Sequence, residues 1–188
     1  MTYDIILAGV GGQGVLSIAT IIARAAMIDG LTVRQSEVHG MSQRGGGVQA
    51  HMRIADSPIS SDLIPTGGAD MILAMEPMES LRYLSWLKPE GILVTAAEPF
   101  VNIPDYPEVE TLYAAIRTLK RSRIVAAEAL AREAGNLKSV NMVLIGAASS
   151  SLPVSEKALA QSVHDTFAKK DPKLVDINMK ALALGEKA

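Results

Sequence analysis

The 188-residue sequence contains no cysteine. That absence excludes disulfides, thiolate nucleophiles, zinc ribbons and iron–sulfur ligation by this chain. If the protein takes part in electron transfer, another chain must hold the clusters. An excess of charge of one sign is also missing. Eighteen Lys and Arg stand against 20 Asp and Glu, for a formal net charge of −2, which argues against the basic face that non-specific nucleic-acid binding requires. No apolar run approaches the ~18 residues of a membrane span. The opening MTYDIILAG has no basic stretch before its apolar residues, so it is not read as a signal peptide. The expectation is a soluble, cytoplasmic protein that meets neither nucleic acid nor membrane. With 48% hydrophobic and 20% charged residues the composition is globular, and the length suits one domain over residues 1–188 with a sizeable core.

Tyr3 to Ala8 is a nearly continuous apolar run, the pattern of a strand buried on both faces. After a glycine turn, Val15, Ile18, Ala19, Ile22, Ala25 and Ala26 fall at helical spacing, and Gly30 is placed to stop that helix. Residues 31–38 read as a second strand, completing a βαβ unit. Residues 48–54 alternate Val48, Ala50, Met52 and Ile54 with Gln49, His51 and Arg53, which reads as an antiparallel or edge strand with one wetter face. Further strands are expected at 71–75, 91–95 and 123–127. Helices are expected at 77–87, with Pro77 in its first turn, and at 111–120. The proline-bearing stretch 98–107 reads as an extended connection, and helices follow at 128–135, 139–150, 155–169 and 173–185. This alternation predicts an α/β fold: a three-layer α/β/α arrangement with a mainly parallel central sheet, mixed if 48–54 is antiparallel, and a helical C-terminal part.

Two stretches carry the candidate chemistry. The first is GVGGQGV, where Gly9, Gly11 and Gly14 fit G-x-G-x-x-G between a strand and a helix. Gly12 and Gln13 complete the turn. Glu37 is the one acid placed to end the second strand, 23 positions after Gly14. Three readings stay open here: a tight turn that binds nothing, a phosphate-bearing ligand at the helix N-terminus, and a partner's backbone docking where no side chain stands. The second stretch is EVHGMSQRGGGVQAHMRI. Its loop gathers Glu37, His39, Gly40, Ser42, Gln43, Arg44, Gly45 and Gly46. Successive glycines can turn N–H groups into an anion-binding nest that Arg44 could complete, while a plainer reading has His39 and Arg44 pin the loop. His39 and His51 have no third ligand at suitable spacing, so no metal site is expected, and no nucleophile accompanies His39 as a base. Ser149 to Ser151 read as a helix end, Met71, Met75 and Met78 as core, and 119–123 (LKRSR) as a solvated turn.

Taken together, GVGGQG and EVHGMSQRGG resemble the gamma subunit or domain of 2-oxoacid:ferredoxin oxidoreductases, nearest to the small subunit of the indolepyruvate branch. MEPME at 75–79, GILVTAAEP at 91–99 and NMVLIG at 141–146 extend the resemblance over most of the chain. The resemblance implies a three-layer α/β/α subunit of a complex that oxidatively decarboxylates a 2-oxoacid to an acyl-CoA. Thiamine diphosphate with its Mg2+ and the iron–sulfur clusters belong to other subunits, and coenzyme A is the acyl acceptor. The small chain is then expected to bind no cofactor, to carry no catalytic residue and to be inactive alone. Its partners would be the large thiamine-diphosphate and iron–sulfur subunit and, through the complex, ferredoxin, with self-association when isolated. The two glycine stretches would form one ligand- or partner-binding edge beyond the carboxyl ends of adjacent strands. The competing reading is a free-standing Rossmann-like dinucleotide-binding protein with Glu37 on a ribose hydroxyl.

Overall fold

The computed structural model describes residues 1–39, 45–168 and 171–188, and only the backbone of residues 38 and 39. Six strands form one sheet: β1 (Thr2–Val10), β2 (Thr32–His39), β3 (Gly47–Ala55), β4 (Ala69–Ala74), β5 (Leu87–Ala96) and β6 (Ser122–Val125). Their spatial order is β2-β3-β1-β4-β5-β6. Pairs β1·β4, β4·β5 and β5·β6 are parallel, whereas β3 runs antiparallel to both β1 and β2.

The period-two rule sorts β1 between two cores. Ile5 and Leu7 enter the larger apolar cluster, with Met71, Leu73 and Val94; Ile6 and Ala8 enter the smaller one, with Ile72 and Leu93. The larger face is covered by α1 (Val15–Ile28), α4 (Ala127–Ala134), α5 (Val140–Ser149), α6 (Glu156–Phe167) and α7 (Pro172–Glu186). The smaller face is covered around α2 (Pro77–Arg82) and α3 (Val109–Arg117), through Leu81, Tyr83 and Ile116. This is the three-layer arrangement expected. Gly30, at φ +77°, ends α1 where the sequence placed its stop.

Three expectations need correction. β1, α1 and β2 do not form a simple βαβ unit, because β3 lies between the two parallel strands. Of the two readings of β3, the antiparallel one holds and makes the sheet mixed, while the edge position belongs to β2. The helix expected over 77–87 stops at Arg82, a 3-10 turn spans Leu84–Trp86, and β5 begins at Leu87. The wetter face of β3 is not open to solvent. The connection between β3 and β4 crosses it, with the Arg53 guanidinium donating to Ser61 O and Leu63 O and paired in a fork to Asp4 at 2.8 and 3.1 Å.

The buried His51 pins the same connection: its Nδ1 accepts the Ile64 N–H at 2.9 Å. The ring proton of the neutral imidazole therefore sits on Nε2, and the Gln49 amide beside it must present its oxygen. Burial holds the His51 pKa below its ordinary 6.5, against the smaller opposing pull of Asp62 and Asp4; Trp86 meets the ring edge-on. The unfolded chain thus takes up this proton at higher pH than the folded one. The contribution of His51 is complete above about pH 6.5 and is lost as pH falls below it. Urea midpoints between pH 8 and 5.5 should fall on the acid side in the wild type and fall less in His51→Gln; equal slopes would contradict this.

Candidate functional site

Four glycines within residues 9–14 do three different jobs. A Cβ on Gly9 would stand 2.8 Å from Val15 Cγ2 and 2.9 Å from Met75 Cβ, so its bareness lets β1, α1 and β4 close together. Gly11 continues the β1·β3 ladder: its N–H donates to Gly46 O at 2.8 Å and its carbonyl accepts from Gly45 N–H at 3.3 Å. Gly12 (φ +105°) and Gly14 (φ +91°) hold the left-handed backbone that side chains disfavour. These are not the roles of the dinucleotide fingerprint, in which the second glycine leaves its backbone to a pyrophosphate. Gly12, outside the fingerprint, turns out to be a turn-making residue.

Gln13 ties the turn to the sheet. Its Oε1 accepts Val10 N–H at 2.7 Å, and its Nε2 donates to Met75 O at 3.4 Å. Asn141, in the first turn of α5, donates Nδ2 to Gly14 O at 3.1 Å and fills the space a Cβ on residue 14 would need. Gly47 opens β3 with the buried Glu79 carboxylate against it, 3.0 Å from where a Cβ would stand. Burial raises the Glu79 pKa, an effect the bridging Arg82 guanidinium, 3.1 Å from both oxygens, opposes.

The chain leaves β1 toward β2 on one side of the sheet and leaves β4 toward β5 on the other. The carboxyl ends of β1 and β4 are therefore a topological switch point, where open α/β sheets bind ligands. A cleft of about 630 Å³ opens there, with Gly12, Gln13, Glu98, Phe100, Lys138 and Asn141 in its walls. One wall is the extended arm after β5. Tyr113 Oη donates to Ala97 O at its start, Asn102 Nδ2 to Gly45 O at its middle, and Tyr106 Oη to the buried Glu76 carboxylate near its end. That hydrogen bond and burial raise the Tyr106 pKa, burial most. Leu16, Phe100, Val101, Ile103 and Leu137 are all exposed around this edge.

The expected edge is thus assembled only in part. The glycine turn meets Gly45 and Gly46, though at the amino end of the antiparallel β3 rather than at the carboxyl end of β2. Gly40, Ser42, Gln43 and Arg44 lie outside the described residues, as does the His39 side chain. Glu37 is on the edge strand, paired with Ala50 and accepting from Gln35. Two strand spacings, about 10 Å, separate its strand from β1, so the acid of a dinucleotide site is not beside the turn. Glu98, Phe100, Lys138 and Asn141 were not anticipated as site residues. They come from two distant segments, 98–100 and 138–141, and only Pro99, closing a strand at its carboxyl end, hinted at them.

The sequence pattern of the pyruvate ferredoxin/flavodoxin oxidoreductase family matches residues 4–188. The chain belongs to that family. Within it, the chain is 39% identical over 196 residues to the indolepyruvate oxidoreductase subunit IorB of Thermococcus kodakarensis, covering 99% of this chain and 95% of that one. It is 40% identical, with the same coverage, to the subunit of that name in Pyrococcus horikoshii. Among solved structures, the gamma subunit of a keto/oxoacid ferredoxin oxidoreductase from Geobacter sulfurreducens is 26% identical with a TM-score of 0.71, covering 98% of this chain and 96% of that one. The fold also matches, at a TM-score of 0.78 and 24% identity, part of the 2-oxoglutarate:ferredoxin oxidoreductase of Magnetococcus marinus; 99% of this chain spans 30% of that one. This chain is accordingly a small subunit of the family's oxidoreductase complexes. Among its described residues no helix is long and apolar enough to cross a membrane.

Proposed function

We propose that this chain is the small subunit of an indolepyruvate- or aryl-pyruvate-oxidising ferredoxin oxidoreductase, and that the switch-point edge is where it meets the large subunit and the acyl acceptor, coenzyme A. The near end-to-end alignment with subunits named for indolepyruvate carries the reading. In the complex, thiamine diphosphate and iron–sulfur clusters on the large subunit would supply decarboxylation and electron transfer to ferredoxin. This chain, without a cysteine, would supply shape and binding. Lys138, α1's N-terminus and the bare Gly12 offer the cleft a cation, a partial positive charge and backbone-level access, which suit an acceptor's phosphates. The exposed Leu16, Val101 and Ile103 around the cleft suit an apolar subunit contact.

Purified alone, the chain is expected to be colourless and unable to reduce an electron acceptor with indolepyruvate. It should bind a dye for exposed apolar surface, and lose that binding when the large subunit is added. Indolepyruvate oxidation by the chain alone would overturn the division of labour. Failure to co-purify with a thiamine-diphosphate subunit encoded beside it would overturn the proposed function.

A further inference from the structure

Two buried side-chain oxygens lack a hydrogen-bond partner among the described residues: Glu98 Oε2 and Asn102 Oδ1. Both lie in the arm beside the cleft, and both are acceptors. Leaving a buried polar atom without a partner is costly, so each such atom calls for an occupant: a water, an ion or a ligand group. Resting on the proposed function, we propose that the arm selects the acyl acceptor by its hydrogen-bond donors, and that Glu98 is the specificity-determining residue that receives a hydroxyl or amide N–H of coenzyme A.

Glu98 is held for this. Helix α4 has no side-chain cap of its own, because its N-cap is Ala126. Glu98 supplies one from outside: Oε1 accepts the Glu128 N–H at 3.0 Å. The carboxylate is thereby fixed at a helix N-terminus, with one oxygen used and the other spare. The last torsion of a glutamate is soft, so a small rotation turns Oε2 into the cleft while Oε1 keeps its bond. An anion is the wrong occupant for this wall. The unpaired carboxylate oxygen of Glu98 repels phosphate, whereas Lys138 elsewhere in the cleft attracts it. The cleft is therefore polar in a definite sense: a cation on one part for the ligand's phosphates, and the Glu98 acceptor on the arm for one of its donors.

Glu98→Gln separates this role from capping. The amide oxygen can still accept the Glu128 N–H, but the free atom becomes an NH2 group, so a ligand donor meets a donor. The experiment uses the complex reconstituted with the large subunit, with indolepyruvate saturating and coenzyme A varied. KM for coenzyme A should rise about tenfold or more, the scale of losing one hydrogen bond to a charged group, with kcat changed by less than about twofold. The thermal midpoint of the isolated variant should match wild type, whereas Glu98→Ala, which also loses the cap, should melt lower. A wild-type KM in Glu98→Gln leaves Glu98 as a helix cap only and overturns the inference, while the proposed function stands. A wild-type complex whose turnover does not depend on coenzyme A overturns both.

Discussion

Replacing Gly185 with alanine is expected to destabilise the chain by about 3 kcal/mol, the upper end of the overpacking range. For a chain of this size that is about 6–12 °C in Tm. Helices α5 and α7 meet backbone to backbone through two glycines. A Cβ on Gly185 would lie 2.0 Å from Val143 O, and one on Gly146 would lie 2.1 Å from Leu182 O and 3.0 Å from Glu186 N. The atoms in the way are main chain, so no rotamer change relieves the clash; the helices must separate. Met142 to Ala148 are almost wholly buried between α7 and the sheet, so separation also opens the larger core. Alanine is intrinsically the better helix former by up to ~1 kcal/mol, so a loss in stability has the opposite sign to propensity and reports the contact itself. Gly146→Ala should behave alike, and Glu186→Ala, on an exposed side chain of the same helix end, should not. Melting curves of the three variants decide it, and a Gly185→Ala protein as stable as wild type would mean that the two helices do not touch this closely.

Gly12→Val should abolish turnover of the reconstituted complex while leaving a chain that still unfolds cooperatively. At φ +105° a branched residue is strained, at a cost of about 1–3 kcal/mol. Among the described residues nothing lies within 4 Å of the Cβ position, however, so they leave space for the side chain. That space is the cleft and its rim, where valine would stand in the path of whatever approaches the turn. Activity of the complex at saturating coenzyme A should fall at least about tenfold, the effect of losing ~1.4 kcal/mol or more of transition-state stabilisation. A variant with lowered Tm but wild-type turnover would show that Gly12 serves the turn alone.

Much of the fold was legible because burial imposes its period on the sequence. The run Tyr3 to Ala8 could only be a strand covered twice, and the spacing from Val15 to Ala26 could only be one buried helix face. The position of β3 was not legible. Gln49, His51 and Arg53 alternate with apolar residues as in a strand half open to water, but His51 and Arg53 are spent on Ile64, Ser61 and Leu63 of a covering connection, and Gln49 on His51. Polarity along a strand does not distinguish water from backbone as its partner. The glycine turn could be placed by its strand–turn–helix setting, but its individual glycines could not be assigned jobs, since φ and neighbour distance are tertiary facts. Nor could the other walls of the cleft be read: Glu98, Lys138 and Asn141 become neighbours of Gly12 only through the order of strands and helices, and each looks like an ordinary polar residue where it stands.

The strand order has a consequence for how the chain is born. β1 is made first, yet both of its neighbours, β3 and β4, are made later, and β2, the strand that follows it in sequence, never touches it. While residues 1–46 emerge from the ribosome, Ile5, Ile6 and Leu7 have no strand to pair with, although all three end fully buried. The apolar stretch must wait for residues 47–74. Synthesis at about 5–20 residues per second makes that wait a few seconds, long enough for an unpaired apolar edge to find another chain. Fragments ending before Gly47 should therefore aggregate or be held by chaperones, whereas those extending past Ala74 should begin to resist protease, so that exposure to misassembly is greatest in the interval between the making of β1 and the completion of β4.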